Sequence, residues 1–302
     1  MNPSAAIAAE TACTEGRCEE AIELLERALL AEPDNFELLY RLGVCYGGGC
    51  RHPLTRPDMA IPYLRRALRL APEGSRAAVL DALGNTLIES REAPREAALR
   101  EAVECHCEAA AIYRAQGDLE DWARVEFNLG NFCCELSDWQ AAVSHYRQSL
   151  AVRTRAKDPA RHAAVLENLG TAYRHLATAE DIKKSISCYR RALWDFRPGQ
   201  PSRNASVENN LGNAFLSLPG AAARNARRAL VHFERALRIL GDDKTCRTWA
   251  ITQYNRAHAY LRLGRNEAAA ACLRESSAAF RACGDFLCSE QAERLSLGFL
   301  QG

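Results

Sequence analysis

Along this chain of 302 residues, apolar positions recur at spacings of three and four. That spacing puts them on one stripe of a helix, not on alternate faces of a strand. A Leu-Gly pair, followed three residues later by an apolar or aromatic residue, occurs at Leu42-Gly43 with Tyr46 and at Leu83-Gly84 with Leu87. It recurs at Leu129-Gly130 with Cys133, Leu169-Gly170 with Tyr173 and Leu211-Gly212 with Phe215. A degenerate copy stands at Arg256-Ala257 with Tyr260. Successive glycines lie 41, 46, 40 and 42 residues apart, and Ala257 follows after 45.

A second phrase answers each of these: a small residue, a large one four later, and another small one three beyond. It reads Ala21-Leu25-Ala28, Ala60-Leu64-Ala67, Ala102-His106-Ala109 and Ala142-Tyr146-Ser149. Ser185-Tyr189-Ala192, Ala229-Phe233-Ala236 and Ala269-Leu273-Ser276 complete the series. Small residues at fixed points let a neighbouring helix approach closely, and the large ones fill the space between helices. Two linked phrases in register predict about seven helix pairs stacked in a solenoid.

The pattern sets the repeats at about 2–35, 36–75, 77–118, 120–158, 160–198, 203–243 and 247–285, an array over 1–285 followed by a capping helix over 286–302. Pro33 and Pro72 fall just past helix ends, where proline stops a helix. The first repeat is the weakest. Its second helix is clear, but residues 3–15 lack the Leu-Gly phrase, as suits a terminal repeat with one face in water. Phe286, Leu287, Leu295 and Leu297 among polar residues mark the cap. Segments 47–53, 91–100 and 219–228 read as lengthened turns between helices. The first is Gly-rich but is not followed by Gly-Lys-Ser/Thr, so it does not support a phosphate loop. No low-complexity linker interrupts the array, so one continuous domain is expected.

Composition narrows the function. With 48% apolar and 25% charged residues the chain can bury a sizeable core,. A formal net charge of +1 creates no global attraction to nucleic acid or to an acidic membrane,. The first twenty residues have neither a charged n-region nor an apolar h-region, so no secretory signal is expected. No stretch approaches the roughly 18 apolar residues of a membrane helix. Thirteen cysteines at irregular spacing read as reduced thiols, with the cytoplasm as the expected compartment,.

On these residues the chain resembles tetratricopeptide repeat arrays over nearly its whole length. The period of about 42 is similar to the variant in kinesin light chains and Pins-type polarity adaptors. It also resembles bacterial arrays that accompany caspase-like peptidases, whose Asn-Asn-Leu-Gly-Asn-Ala phrase stands here at Asn209 to Ala214. The resemblance implies an all-α fold: a right-handed superhelical solenoid of about seven helix-turn-helix repeats with a C-terminal capping helix.

In such a stack the first helix of each pair lines the concave surface. The fourth repeat's core stripe is Val125, Leu129, Gly130 and Cys133, which leaves Arg124, Phe127, Asn128, Asn131 and Glu135 facing the groove. Asparagine stands two residues before the Gly position four times: Asn128, Asn168, Asn210 and Asn255. One residue after it stand Asn85, Asn131, Thr171, Asn213 and His258. A carboxamide both donates and accepts, so a row of them can pair with the backbone of an extended peptide. In related arrays equivalent asparagines do this, and the resemblance implies it here. The alternative is a structural ladder bonding each repeat to its neighbour. Arg41 and Ala82 break the row, so the expected groove spans repeats 4 to 7. Glu167, Arg174, His175, Tyr254 and Arg262 extend its lining. Glu37, Tyr40, Asp81 and Glu89 tilt the N-terminal half towards acid, which would orient a partner with its acidic end towards repeats 5 to 7.

Other clusters read as core. In Cys105-His106-Cys107 the two cysteines do not share a helix face, and His106 aligns with Leu64, Tyr146 and Tyr189. Cys133 takes a core position, and Cys134 has no basic neighbour to activate it. No G-x-S-x-G, H-E-x-x-H or strand-flanked G-x-G-x-x-G occurs. The expectation is therefore no catalytic residue, no cofactor and no metal site. The partner is a protein or peptide, with no nucleic acid and no membrane insertion, and self-association stays open. The leading function is an adaptor or scaffold. The second is a sensor or regulatory module, such as a peptide-signal receptor or the partner of a peptidase.

Overall fold

The computed structural model describes residues 3–48, 55–91, 94–196, 200–241 and 245–298. Among them are fifteen α-helices and no strand. In chain order they are α1 (Pro3–Thr14), α2 (Cys18–Ala31), α3 (Phe36–Tyr46), α4 (Pro57–Leu70), α5 (Glu73–Glu89), α6 (Arg95–Gln116), α7 (Leu119–Glu135) and α8 (Trp139–Val152). Then follow α9 (Pro159–Leu176), α10 (Ala179–Asp195), α11 (Pro201–Ser217), α12 (Ala222–Leu240), α13 (Arg247–Leu261), α14 (Asn266–Ala282) and α15 (Phe286–Gly298). The all-α fold expected from the periodicity is the one observed.

Helix ends follow local chemistry. Side-chain oxygens of Asn35, Asp118, Asp158 and Thr178 accept the backbone N–H three residues on, at the starts of α3, α7, α9 and α10. Each such cap is worth about 1 kcal/mol. Two of the expected long turns are shorter than the sequence suggests. Residues 95–100 form the first turns of α6, and residues 222–228 those of α12. Ala-rich segments with good helix propensity extend the helix instead of the turn. Around α12, Asn225 donates through Nδ2 to the carbonyls of Leu218 and Gly220, tying down the entry. Most of the Gly-rich 47–53 segment lies outside the described residues, as do residues 92–93 of the 91–100 segment.

The chain divides into two compact units, 1–138 (α1–α7) and 139–302 (α8–α15). In the first unit α1 packs on α2, α3 on α4 and α5 on α6, around Leu25, Leu42, Leu64, Leu80, Leu83 and Leu129. In the second, α9 packs on α10, α11 on α12, α13 on α14, and α15 on α14. Here α11 also touches α9 and α13 directly. The three first helices therefore form one row.

The two sequence phrases meet inside the pairs α3–α4, α5–α6, α9–α10 and α11–α12. A methyl group added at Gly43 would stand 2.6 Å from Leu64, at Gly84 2.2 Å from His106, and at Gly170 2.8 Å from the Tyr189 ring. Glycine is required because the large residue of the second helix lies against the backbone of the first. Tyr146, Tyr189, Phe233, Leu25 and Leu64 are fully buried. Truncating a buried aromatic of this kind to Ala costs about 3–5 kcal/mol.

Small side chains hold the last helix. Helix α15 packs through Ser289, Ala292 and Ser296, whereas Phe286 and Leu287 stay 68% and 78% exposed. Small side chains allow the closer approach, and the Ser277 and Ser289 hydroxyls meet at 3.0 Å.

Candidate functional site

In the second unit the row α9, α11, α13 presents Asn168, Arg174, Asn210, Asn213, Tyr254, Asn255, His258 and Arg262, all partly or fully exposed. Two ladder asparagines also reach back to the preceding first helix. Asn210 donates through Nδ2 to Glu167 Oε1 at 3.4 Å, and Asn255 to Asn209 Oδ1 at 3.0 Å. Each bond uses one N–H and leaves the carboxamide oxygen and a second N–H. The side chain of Asn213 makes no hydrogen bond to another described residue.

Glu167 on α9 faces α11. It accepts from Ser206 Oγ at 3.0 Å as well as from Asn210. Burial raises its carboxyl pKa, and Ser206 and Arg203 only partly offset that,. Tyr254 and His258 pack edge to face with centroids 4.9 Å apart. Arg262 donates through Nη1 to the Leu216 carbonyl at 2.6 Å, closing the last turn of α11. Arg174 contacts His175, whose ring stacks on Trp139 at 4.0 Å. Partial burial, with Arg174 and Arg262 respectively, depresses the His175 and His258 pKa values. Both imidazoles are therefore neutral at pH 7 and can accept a hydrogen bond.

The first unit carries a different arrangement, centred on Asp81. Arg124 donates through Nη1 to Asp81 Oδ2 at 2.6 Å and through Nη2 to Asp121 at 2.6 Å. His106 Nε2 lies 3.4 Å from Asp81 Oδ1. Burial works to raise the Asp81 pKa, but His106 and Arg124 outweigh it and hold the carboxyl below its ordinary range. Asn85 leans on Asp81 at 3.4 Å and accepts from Asn128 Nδ2 at 3.2 Å. Phe127 and Asn131 are half-buried on α7. Arg124, predicted as a partner-binding residue, is thus held by two carboxylates of its own unit.

Periodicity did not reveal these ionic contacts. His106 is fully buried, as its register predicts, and its Nδ1 meets the Ala102 carbonyl at 2.9 Å. Its partner Asp81 lies three residues before Gly84, on the helix that His106 packs against, and that register was the available signal. The pattern also does not show two further pairs: His162 with Asp195, buried, at 2.7 Å, and His232 with Glu208, half-buried, at 2.6 Å. Cys105 is buried, with its thiol pushed up to about 11, while Cys107 is exposed. Among the described residues, no group of three or more His, Cys, Asp or Glu side chains is placed to hold a metal ion. No described helix is long and apolar enough to cross a membrane.

A tetratricopeptide repeat family model matches residues 123–193, and a second tetratricopeptide repeat model matches residues 250–279. No curated protein matches the chain in sequence. The chain is similar in structure to the C-terminal part of a repeat-containing protein from Cytophaga hutchinsonii, with a TM-score of 0.64 and 14% identity, covering 98% of this chain and 99% of that one. It is also similar to a chain of the Cut9–Hcn1 hetero-tetramer of the APC/C, with a TM-score of 0.59 and 16% identity. That match covers 97% of this chain but 48% of the other, so the protein spans about half the length of that relative. A third is BtubC (BKLC) from P. vanneervenii, with a TM-score of 0.56 and 20% identity over 77% of this chain and 91% of that one. At these identities the likeness concerns the fold.

Proposed function

Because the chain is a tetratricopeptide repeat protein, we propose that it is a non-catalytic scaffold that holds a peptide segment of a partner protein on the α9–α11–α13 row. One observation carries this reading. Asn210 and Asn255 bond to the preceding helix through a single N–H each, so their remaining amide groups, with those of Asn213, can pair with a backbone,. Fixed by inter-repeat bonds, these side chains lose little further freedom when a ligand arrives. Tyr254 and His258 add a ring surface at one end of the row,. Arg174 and Arg262 favour a ligand with acidic side chains. In the first unit, Asn128 donates one N–H to Asn85 and offers a single carboxamide of the same kind, beside an Arg124 that is already neutralised.

A photo-reactive residue placed at Asn213 or at Trp194, in the full chain, tests the location. Peptides selected from a random display library should crosslink from position 213 on α11 and not from position 194 on α10. Equal crosslinking from both positions would contradict the assignment.

A further inference from the structure

The net charge of +1 conceals a division. Residues 1–138 hold 14 Lys and Arg against 24 Asp and Glu, a net of −10, while residues 139–302 hold 25 against 14, a net of +11. Two second helices, one in each unit, carry opposite charge. Helix α12 has five arginines against Glu234, and α2 has four glutamates against Arg27.

On both helices the exposed charge forms a stripe with the same spacing. Along α12 the order is Arg224, Arg228, Val231, Arg235, Arg238, in steps of four, three, four and three. Along α2 it is Glu19, Glu23, Glu26, Leu30, in steps of four, three and four. All nine side chains are exposed, Val231 by 45% and Leu30 by 84%. Arg224, Arg235 and Arg238 form no ion pair with another described residue. Leu30 borders a depression of about 650 Å³ lined by Glu23, Glu26, Arg27, Pro33, Tyr63 and Arg66.

We propose that α12 of one copy docks antiparallel on α2 of a second copy. In that register Leu30 meets Val231, Glu26 meets Arg235 and Glu23 meets Arg238, because both stripes step by four and then three from the apolar residue. The charge division favours a second copy over a nucleic acid, since a polyanion drawn to one unit is repelled by the other. The two faces differ, so the contact is heterologous and copies join head to tail. A contact of this size is weak and salt-sensitive.

Sedimentation velocity of the full chain tests this. In about 20 mM salt the sedimentation coefficient should rise with concentration, and in about 0.5 M salt it should not, because screening shortens the reach of exposed charges. The double variants Arg235→Glu/Arg238→Glu and Glu23→Arg/Glu26→Arg alter exposed positions, and unchanged helical circular dichroism will verify folding. Each alone should associate at least about tenfold more weakly at low salt. An equimolar mixture should recover association, because each variant supplies the complement of the other. A wild-type chain that stays monomeric at low salt, or variants that associate like wild type, would overturn the proposal. So would a monomeric wild type that binds heparin or an oligonucleotide through α12. These variants leave the α9–α11–α13 asparagines intact, so failure here does not bear on peptide binding.

Discussion

Gly212 on α11 faces Phe233 on α12 so closely that a methyl group on its Cα would stand 2.4 Å from the ring. Gly212→Ala should therefore destabilise the protein by about 1–3 kcal/mol through overpacking. That loss appears even though Ala is intrinsically better in a helix by about 1 kcal/mol. Gly74→Ala on α5, where nothing lies within 4 Å, should instead be neutral or stabilising by up to about 1 kcal/mol. Urea unfolding followed by circular dichroism separates the two. Adding Phe233→Leu to Gly212→Ala should recover part of the loss, as coupling between touching residues.

Asp81 makes an acid-sensitive contribution. Its folded pKa lies below the ordinary 3.8 despite burial, because His106 and Arg124 stabilise the carboxylate. A depressed carboxyl contributes stability above its unfolded pKa and loses it as pH falls through the folded value. Thermal unfolding of wild type should thus decline below about pH 4, and Asp81→Asn should decline less steeply in that window. Arg124→Ala, which strands the carboxylate, should cost about 2 kcal/mol at pH 7. That is less than for a fully buried pair, because Arg124 keeps a third of its surface,.

Glu167 works in the opposite sense. Burial raises its pKa, so ionisation opposes folding, and stability associated with the protonated form is lost as pH rises through the folded value,. Glu167→Gln keeps an acceptor for Ser206 and Asn210 and removes the charge. Its melting temperature should exceed that of wild type at pH 7, and the difference should shrink on acidification. Equal shifts at pH 4 and pH 7 would contradict the assignment.

The helix pairs were legible because packing imposes a period. Gly84 and His106 must meet, so their spacing is written into the chain. Lengths at turns were less legible, since residues 222–228 carry both a polar run and strong helix propensity, and propensity won. Which residues of the cap are buried is not legible from apolarity, since Ala292 and Ser296 are buried while the larger Phe286 and Leu287 stay exposed. The asparagine row was visible as a repeat, but its bonds to Glu167 and Asn209 depend on side-chain placement. The charge division disappears in a net of +1; the sequence shows it as an acidic tilt of the N-terminal half, and its size follows once the two units are delimited.

The most direct measurement is the affinity of library-selected peptides for the full chain carrying Asn168→Ala, Asn210→Ala and Asn255→Ala together. Each lost backbone bond removes about 1 kcal/mol, so Kd should rise on the order of 100-fold while the helical circular dichroism is retained. An unchanged Kd in a folded triple variant would show that these asparagines only tie the repeats together.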